Sequence, residues 1–386
     1  PYQSTGGSGF RGKVSADYAV YWDVTYHGTY KLLVNHLRNE TFVLWQCGTE
    51  KPDIDGAAAY FEVPVTRVAT TSTTYMPYIE MIGERSSLVA YTSSFDYVSS
   101  SCLRVLHRDG HIREAYNTST FASNIKEDEV DLTIADEWTV DDVPKGYSLA
   151  DTHEDTVFQV AEYVEVVGLF FNREHEATEA IEYVIDAYNC LKDEVTALEV
   201  STPKKIVLAG YSSWAGGFSI ATCPNWYCDV VEDAGGEIVL FEGEGDVDQW
   251  GYKYMSLEQV LDLAADAEVF VSNAPLPDYD DNITKALLEL PISVFDNEGP
   301  LGYNDWFERR FAEPDAVLAD FATVLWPETF GTDRNFLRNL TAGEAAGSKI
   351  DDDDLDAACP NTDAPYQYLL SAASDCLDAQ ERDNED

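Results

Sequence analysis

The chain of 386 residues carries 71 acidic and 24 basic side chains, which gives a formal net charge of −47 at pH 7. A surface this negative repels phosphate backbones and anionic membranes, so nucleic-acid binding is excluded, and its simplest role is solubility in salty water. The hydrophobic fraction of 45% excludes a disordered chain, and no apolar run reaches the roughly 18 residues of a membrane span. A chain of this length predicts two domains.

The first part of the chain predicts an α/β lobe over residues 17–168, after a flexible leader at residues 1–16. Aromatic and polar residues alternate from Tyr18 to Cys47, a pattern typical of antiparallel strands joined by turns. Short strands then alternate with loops and one helix, which predicts a largely parallel sheet. The strands are predicted at Thr66–Ala69, Ser87–Tyr91 and Val130–Ala135, and the helix at Tyr75–Ile82.

A long amphipathic helix is predicted from Glu174 to Leu198, within a linking segment of residues 169–201. Apolar residues recur there mostly at steps of three and four, which places them on one helix face. Pro203 ends the pattern. A helix of roughly 25 residues is about 37 Å long at 1.5 Å per residue, long enough to join two lobes as a rigid strut. A cleft between such lobes is a common place for a small ligand.

The strand and helix alternation resumes in a second predicted lobe, residues 202–345, and an acidic, mobile tail is predicted for residues 346–386. The predicted strands are Lys205–Gly210, Glu237–Phe241 and Val269–Ser272. The predicted helices are Cys228–Ala234, Leu257–Ala265 with Ser256 as its cap, Ile283–Leu290 and Pro314–Leu325.

Four segments of the second lobe resemble helix-linked periplasmic binding proteins, the class that serves vitamin B12, siderophore and haem uptake. In chain order they are the first strand after the helix, a helix followed by Ala-Gly-Gly and a strand, a Ser-x-Glu helix start, and a closing helix followed by a proline turn. They lie at Lys205–Ser212, Val231–Val239, Met255–Leu261 and Pro314–Glu328. The resemblance implies two α/β lobes joined by one long helix, with the ligand cleft between them.

The first lobe is similar to a eukaryotic algal subgroup of this class, the cobalamin-acquisition proteins, at Tyr26–Lys31 and Val43–Thr49. The resemblance implies a non-enzymatic protein that captures cobalamin without a cofactor of its own, with a membrane uptake receptor or transporter as partner. A ferric-siderophore or haem binder of the same fold is the alternative. A structural extracellular glycoprotein that keeps the fold but has lost its pocket is a second alternative.

Ligands of such lobes bind at the carboxyl ends of the strands, so aromatic and hydroxyl residues in these loops are the predicted contacts. The alternative for each aromatic residue is ordinary core packing. The first lobe supplies Thr73, Thr74, Tyr75, Phe95, Tyr97 and Trp138, and the second supplies Tyr211, Trp214, Phe218, Trp250, Tyr252, Tyr303 and Trp306. Glu258 matches a family position at which a permease docks; its alternative role is a helix-dipole contact.

Cysteines and glycosylation sequons indicate a secreted or cell-surface protein. The spacing of Cys223 and Cys228 suits a local disulfide, Cys359 and Cys376 are a candidate pair in the tail, and Cys190 is predicted to be a buried free thiol. Cys47 and Cys102 are the remaining disulfide candidates. The sequons begin at Asn39, Asn117, Asn282 and Asn339.

No catalytic or metal site is predicted. Gly210–Trp214 resembles the Gly-x-Ser-x-Gly elbow of serine hydrolases, but a tryptophan replaces the last glycine, and all six histidines precede the serine. The Asp351–Asp354 run lacks the turn glycine and the ligand spacing of a calcium loop. The cysteines lack the paired spacing of a zinc site.

Overall fold

The computed structural model describes residues 10, 12–120, 122–212, 217–241 and 252–369. It divides the chain into two compact units. The described residues up to Glu154, together with Phe158–Tyr183 and Ile350–Gln367, form the first unit. Asp155–Val157, Val184–Lys349 and the described residues from Tyr368 onward form the second. Both units contain α-helices and β-sheets, so the predicted mixed α/β class is confirmed.

A four-stranded sheet opens the first unit, in the order β1-β2-β3-β4. Its strands are β1 (Trp22–His27), β2 (Tyr30–Asn35), β3 (Glu40–Gln46) and β4 (Ala59–Val63). The first three strands are antiparallel, as the alternating pattern predicted, and β4 runs parallel to β3. Gly28 has a φ of 58° in the tight turn between β1 and β2, a conformation that glycine adopts without strain.

The second sheet of the first unit has five strands, all of them parallel, in the order β7-β6-β5-β8-β9. They are β5 (Val68–Thr70), β6 (Leu88–Tyr91), β7 (Arg113–Glu114), β8 (Leu132–Ala135) and β9 (Gly146–Ser148). Every residue of β5 and β8 is buried. Helices cover such a parallel sheet, which is why its strands read as short apolar runs.

The helices of this part of the chain are α1 (Met76–Met81), α2 (Ser101–Arg108), α3 (Val157–Ala161), α4 (Tyr163–Phe171) and α5 (Glu174–Thr196). All nine residues of α4 are buried, in keeping with its apolar composition. The predicted long helix is confirmed as α5, which belongs to the first unit up to Tyr183 and to the second from Val184.

A seven-stranded mixed sheet forms the centre of the second unit, in the order β13-β11-β10-β14-β15-β16, with β12 paired to β10. The strands are β10 (Lys204–Ser212), β11 (Gly217–Ala221), β12 (Gly236–Ile238), β13 (Tyr252–Met255), β14 (Val269–Ser272), β15 (Ser293–Asp296) and β16 (Arg338–Asn339). The strands β12, β10, β14 and β15 are parallel, whereas β11, β13 and β16 pair antiparallel to their neighbours.

The helices of the second unit follow the sequence pattern closely. They are α6 (Trp226–Asp233), α7 (Leu257–Ala264), α8 (Asn282–Leu288), α9 (Tyr303–Arg309), α10 (Pro314–Leu325) and α11 (Pro327–Phe330). Ser256 caps α7 through a capping box with Gln259, which confirms the predicted helix start. None of the helices among the described residues is long and apolar enough to cross a membrane.

The cysteine predictions are partly wrong. The Cys223–Cys228 disulfide is confirmed, but Cys359 bonds to Cys102 instead of Cys376. Cys190 is disulfide-bonded and not a free thiol, whereas Cys47 is a free, exposed cysteine. Cys376 lies outside the described residues. The Cys102–Cys359 bond joins residues 257 apart in sequence, a pairing that local spacing does not show.

The predicted mobile tail is in part an ordered strap on the first unit, formed by Ile350–Gln367 and containing the one-turn helix α12 (Leu355–Ala358). Buried Arg104 of α2 donates to Ile350 O and to Asp352 Oδ1, each at 2.5 Å. Buried Arg85 donates to Ala364 O at 2.5 Å. One residue of the acidic run, Asp352, therefore pairs with a buried arginine, so the run is not only a solvated tail.

Two buried glutamates bind the backbone of the segment Asp17–Tyr21, which we name the anchored segment. Glu162 accepts hydrogen bonds from the N–H groups of Asp17, Tyr18 and Ala19 at 2.7–3.2 Å. Glu154 accepts from the N–H groups of Val20 and Tyr21 at 3.0–3.3 Å. Five successive amides are thus satisfied by two carboxylates, which fixes this stretch of irregular backbone on the first unit.

Glu165 is expected to make the stability of the protein depend on pH. Burial raises its pKa from 4.5 to about 8, and the negative charges of Glu162 and Asp17 act in the same direction. The folded state therefore binds this proton more tightly than the unfolded state, so stability falls as pH rises from about 4.5 to 8. We expect Glu165→Gln to raise the free energy of unfolding by about 3 kcal/mol at pH 8 and to leave it unchanged at pH 4. Urea denaturation at both pH values measures this difference.

The exposed helical residue Glu179 is the matched control, because its carboxylate is solvated in the folded state. Glu179→Gln removes only an exposed 3.5 Å contact with His175, so it is expected to change stability by less than about 1 kcal/mol at either pH. If Glu165→Gln raises the free energy of unfolding by the same amount at pH 4 and pH 8, the glutamine improves packing. The proposed change in the protonation of Glu165 is then wrong.

Candidate functional site

The ligand residues predicted in the first unit converge on one edge of its parallel sheet. Thr73, Thr74 and Tyr75 follow β5, Phe95 and Tyr97 follow β6, and Trp138 follows β8. Because β6, β5 and β8 are parallel neighbours, their carboxyl ends meet at the same edge. The structure therefore brings these six residues to one region of the first unit, although they span more than 60 positions in sequence.

Exposure separates these residues into two groups. Thr73, Thr74, Tyr75 and Phe95 are buried, whereas Tyr97 is 46% exposed and Trp138 is 47% exposed. Burial raises the pKa of Tyr75 well above its ordinary value, and neighbouring acidic groups add to the effect, so its hydroxyl stays protonated. Tyr97 and Trp138 thus offer the exposed aromatic surface, and the buried residues form its base.

The loop that carries Trp138 is held by Asp136. Its Oδ1 accepts hydrogen bonds from the N–H groups of Trp138 at 3.0 Å and Thr139 at 2.9 Å. Thr71, directly after β5, donates its Oγ1 hydroxyl to Asp136 Oδ2 at 3.3 Å. These bonds connect the ends of β5 and β8, so the backbone below the exposed indole is fixed.

The side chain of Trp138 lies against residues that are not among the predicted ligand contacts. Its ring stacks on His153, with ring centroids 6.4 Å apart and an interplanar angle of 27°. Glu137 Oε2 lies 2.8 Å from His153 Nε2, and the ring of Tyr21 contacts His153 edge-on at 6.3 Å. Glu137 could have been predicted from the sequence, because Asp-Glu-Trp directly follows a strand. No sequence pattern near His153 or Tyr21 predicts that they contact Trp138.

The loop after β6 is held in a similar way. Glu114, at the end of β7, accepts hydrogen bonds from Phe95 N at 2.7 Å and from Ser94 Oγ at 3.2 Å. The Phe95 ring stacks on His107 of α2 with centroids 4.0 Å apart. Phe95 thus supports the loop, and Tyr97, two residues on, carries its exposed ring.

The residues predicted in the second unit are more dispersed. Tyr211 and Phe218 do not lie in a strand-end loop as expected, because β10 continues into an antiparallel hairpin with β11 in which these two residues pair. This hairpin also differs from the strand–turn–helix elbow of a hydrolase, since Ser212 pairs with Gly217. A Cβ at Gly210 would lie 2.4 Å from Asn273 Oδ1, so a larger residue at this strand position would require the Asn273 side chain to move.

Phe218 and Trp306 are completely buried in the second unit. Trp306 lies between Tyr227 and Phe336, and Tyr303 is half-buried at the start of α9. Tyr252 belongs to β13, and Trp214 and Trp250 lie outside the described residues. All of these ligand contacts stay predictions, as does the ligand cleft between the lobes.

A polar cavity that the sequence analysis missed lies past the carboxyl end of β15. It has a volume of about 470 Å³ and is lined in part by Glu298, Arg334, Arg338 and Glu344. Arg338 binds Asp296 through Nε at 2.9 Å and Nη2 at 2.5 Å, and Arg334 binds both carboxylate oxygens of Glu344 at 2.6 Å. Both guanidinium groups therefore already bind carboxylates. The charged side chains at this cavity form ion pairs with one another, so we assign them a structural role.

Two further predictions concern single positions. Glu258 is exposed in the first turn of α7, where a carboxylate is stabilised by the helix dipole, and its docking role stays a prediction. Within the described ranges no group of three or more His, Cys, Asp or Glu side chains has the arrangement of a metal site.

Comparison with known proteins gives matches in solved structures alone. No protein-family model matches the chain, and no curated protein matches it. CeuE of Helicobacter pylori, solved with Ni(II) bound, is similar with a TM-score of 0.49 and 15% identity, covering 73% of this chain and 90% of that one. A periplasmic heme-binding protein of Pseudomonas aeruginosa gives 0.47 and 14%, covering 74% and 99%. The periplasmic vitamin B12-binding protein BtuF of Vibrio cholerae gives 0.45 and 16%, covering 68% and 97%.

Proposed function

We propose that this protein is a non-enzymatic binding protein that captures a bulky, ring-containing small molecule at the strand-end edge of the first unit. The observation that carries the proposal is the pair of exposed rings, Tyr97 and Trp138, on loops fixed by Asp136 and Glu114. Aromatic rings held on a rigid support bind a large flat ligand with little loss of conformational entropy.

Cobalamin is the ligand that we propose, because the sequence motifs resemble the vitamin B12, siderophore and haem binding class, and its algal cobalamin-acquisition members in particular. A ferric siderophore or haem is the alternative. The test is a visible-absorbance titration of the whole protein with cyanocobalamin, ferrichrome and haemin in parallel. Stoichiometric binding of cyanocobalamin supports the proposal, and binding of another ligand alone identifies that ligand instead. Binding of none rejects capture and favours a structural extracellular glycoprotein.

Trp138→Ala is expected to weaken ligand binding about five-fold, because stacking of an indole on a ring contributes about 1 kcal/mol beyond its buried area. Folding is expected to be unaffected, since nearly half of the side chain is solvent-exposed. The same absorbance titration measures the affinity, and circular dichroism checks the fold.

Trp45→Ala is the matched control for this variant. Trp45 is a partly exposed tryptophan on β3, in the four-stranded sheet of the same unit, where its ring contacts Tyr60. Its replacement should leave ligand affinity unchanged. Equal losses of affinity in the two variants would show that the effect is not specific to the strand-end edge, and would remove the support for this site.

We also propose that the protein is secreted or displayed at a cell surface and delivers its ligand to a membrane receptor or transporter. Disulfide bonds at Cys102–Cys359 and Cys223–Cys228 support the oxidising compartment. Asn39, Asn117 and Asn282 are exposed, whereas Asn339 is half-buried in β16. Peptide mapping of native material is expected to find glycans at the exposed sequons and both disulfides. Unmodified asparagines with reduced cysteines would contradict this location.

A further inference from the structure

Three side chains from separate parts of the first unit converge behind the Trp138 ring. Glu137 precedes it in the loop after β8, His153 follows β9, and Tyr21 belongs to the anchored segment. His153 touches all three of the others: its ring stacks on the indole of Trp138, its Nε2 lies 2.8 Å from Glu137, and Tyr21 packs edge-on against it. We name Tyr21, Glu137 and His153 the support triad.

Each member of the support triad is itself held in place. Tyr21 N donates to buried Glu154 at 3.1 Å, which fixes the backbone beneath the ring. His153 N donates to Ala150 O at 3.0 Å in a short helical turn. Glu137 lies in the turn whose N–H groups are bound by Asp136. The backbone that carries each member is therefore fixed, and the imidazole contacts both the Tyr21 ring and the Glu137 carboxylate.

An exposed tryptophan normally samples several rotamers, and binding a ligand in one of them costs conformational entropy. A half-buried imidazole stacked on the indole face removes part of that freedom before the ligand arrives. We propose that Tyr21, Glu137 and His153 are positioning residues that hold the Trp138 indole in the orientation in which it contacts the ligand. This inference rests on the proposed function, because it assigns these residues a role in the same site.

A double-mutant cycle tests the role in binding. With cyanocobalamin, ferrichrome and haemin as probes, His153→Ala is expected to weaken binding about three-fold in the native background and to have no effect in a Trp138→Ala background, because its action passes through the indole. His153→Gln, which retains a planar polar group near Glu137, is expected to recover part of the affinity. Equal losses in the two backgrounds would overturn the positioning role.

Tyr21 offers a matched pair of variants. Its contact with His153 is made by the ring, so Tyr21→Phe should leave affinity unchanged, whereas Tyr21→Ala should weaken it to the same degree as His153→Ala. A loss of affinity in Tyr21→Phe would show that the hydroxyl acts on the ligand directly and would contradict the role proposed for the ring.

The support triad is also tested without any ligand, by fluorine NMR of the whole protein labelled with 5-fluorotryptophan. The chain has eight tryptophans, and the Trp138 resonance is the one missing from Trp138→Phe. His153→Ala is expected to shift and broaden that resonance selectively.

The two readouts separate the inference from the proposed function. A responsive Trp138 resonance with no binding of any probe would reject the proposed function and, with it, the role in ligand contact. If a probe binds but the Trp138 resonance is unchanged in His153→Ala, the inference is rejected and the proposed function is retained.

Discussion

Replacing both cysteines of the Cys102–Cys359 disulfide with serine is expected to lower the free energy of unfolding by about 3–5 kcal/mol. The bond closes a loop of 257 residues, and the loss of chain entropy in the unfolded state grows with the length of the closed loop. It also secures the strap against α2, where Val105, Leu355 and Cys359 form a small apolar cluster. Chemical denaturation of the whole protein, in the absence of reductant, measures the loss.

The Cys223–Cys228 bond provides the matched control, because its cysteines are only five residues apart. Its removal by the same double substitution is expected to cost about 2 kcal/mol, since a short loop restricts the unfolded chain less. If the two double variants lose the same free energy of unfolding, the length of the closed loop does not explain the stabilisation by the Cys102–Cys359 bond.

Lys31→Met is expected to destabilise the protein by about 3–5 kcal/mol at pH 7, because it leaves a buried carboxylate without its cation. Burial lowers the pKa of Lys31 to about 8, so the lysine is mostly charged at pH 7. The side chains of Lys31 and Glu174 are both completely buried, with 2.6 Å between Nζ and Oε1. Lys31 Nζ also donates to Leu169 O at 2.6 Å and to Asn172 Oδ1 at 2.9 Å. Denaturation curves of the variant and the native protein give the difference.

Two comparisons show whether the buried charge is responsible. Adding Glu174→Gln to Lys31→Met should recover a large part of the stability, because the charge that lacks a partner is then absent. The loss should also be smaller at pH 5 than at pH 7. Burial already raises the pKa of Glu174, and without Lys31 the carboxyl takes up a proton at still higher pH. A loss that neither the second substitution nor acid reduces would point to packing against Phe10 instead.

The sequence predicts the part of the candidate site that lies in loops after the parallel strands, because ligands bind at the carboxyl ends of such strands. Trp138 was selected as an aromatic residue just after a buried strand, and a parallel sheet brings all such positions to one edge. His153 was not selected, because the contact of its ring with Trp138 depends on how the chain between them folds, and no periodicity connects the two positions. The position of Tyr21 could not be predicted for the same reason. Glu154 and Glu162, which bind its segment, are more than 130 residues away in sequence.

The sequence by itself determined the local elements of this protein. The helix α10 has the predicted bounds, α7 starts at the predicted cap, and α5 follows its apolar stripe, because caps, proline and helical periodicity act within a few residues. Only the tertiary structure decided the Cys102–Cys359 pairing, the strap on the first unit and the β10–β11 hairpin that pairs Tyr211 with Phe218. These features depend on contacts between residues that are far apart in sequence. Buried arginines, closed loops and paired strands stabilise such contacts, and the conformational preferences of single residues do not predict them.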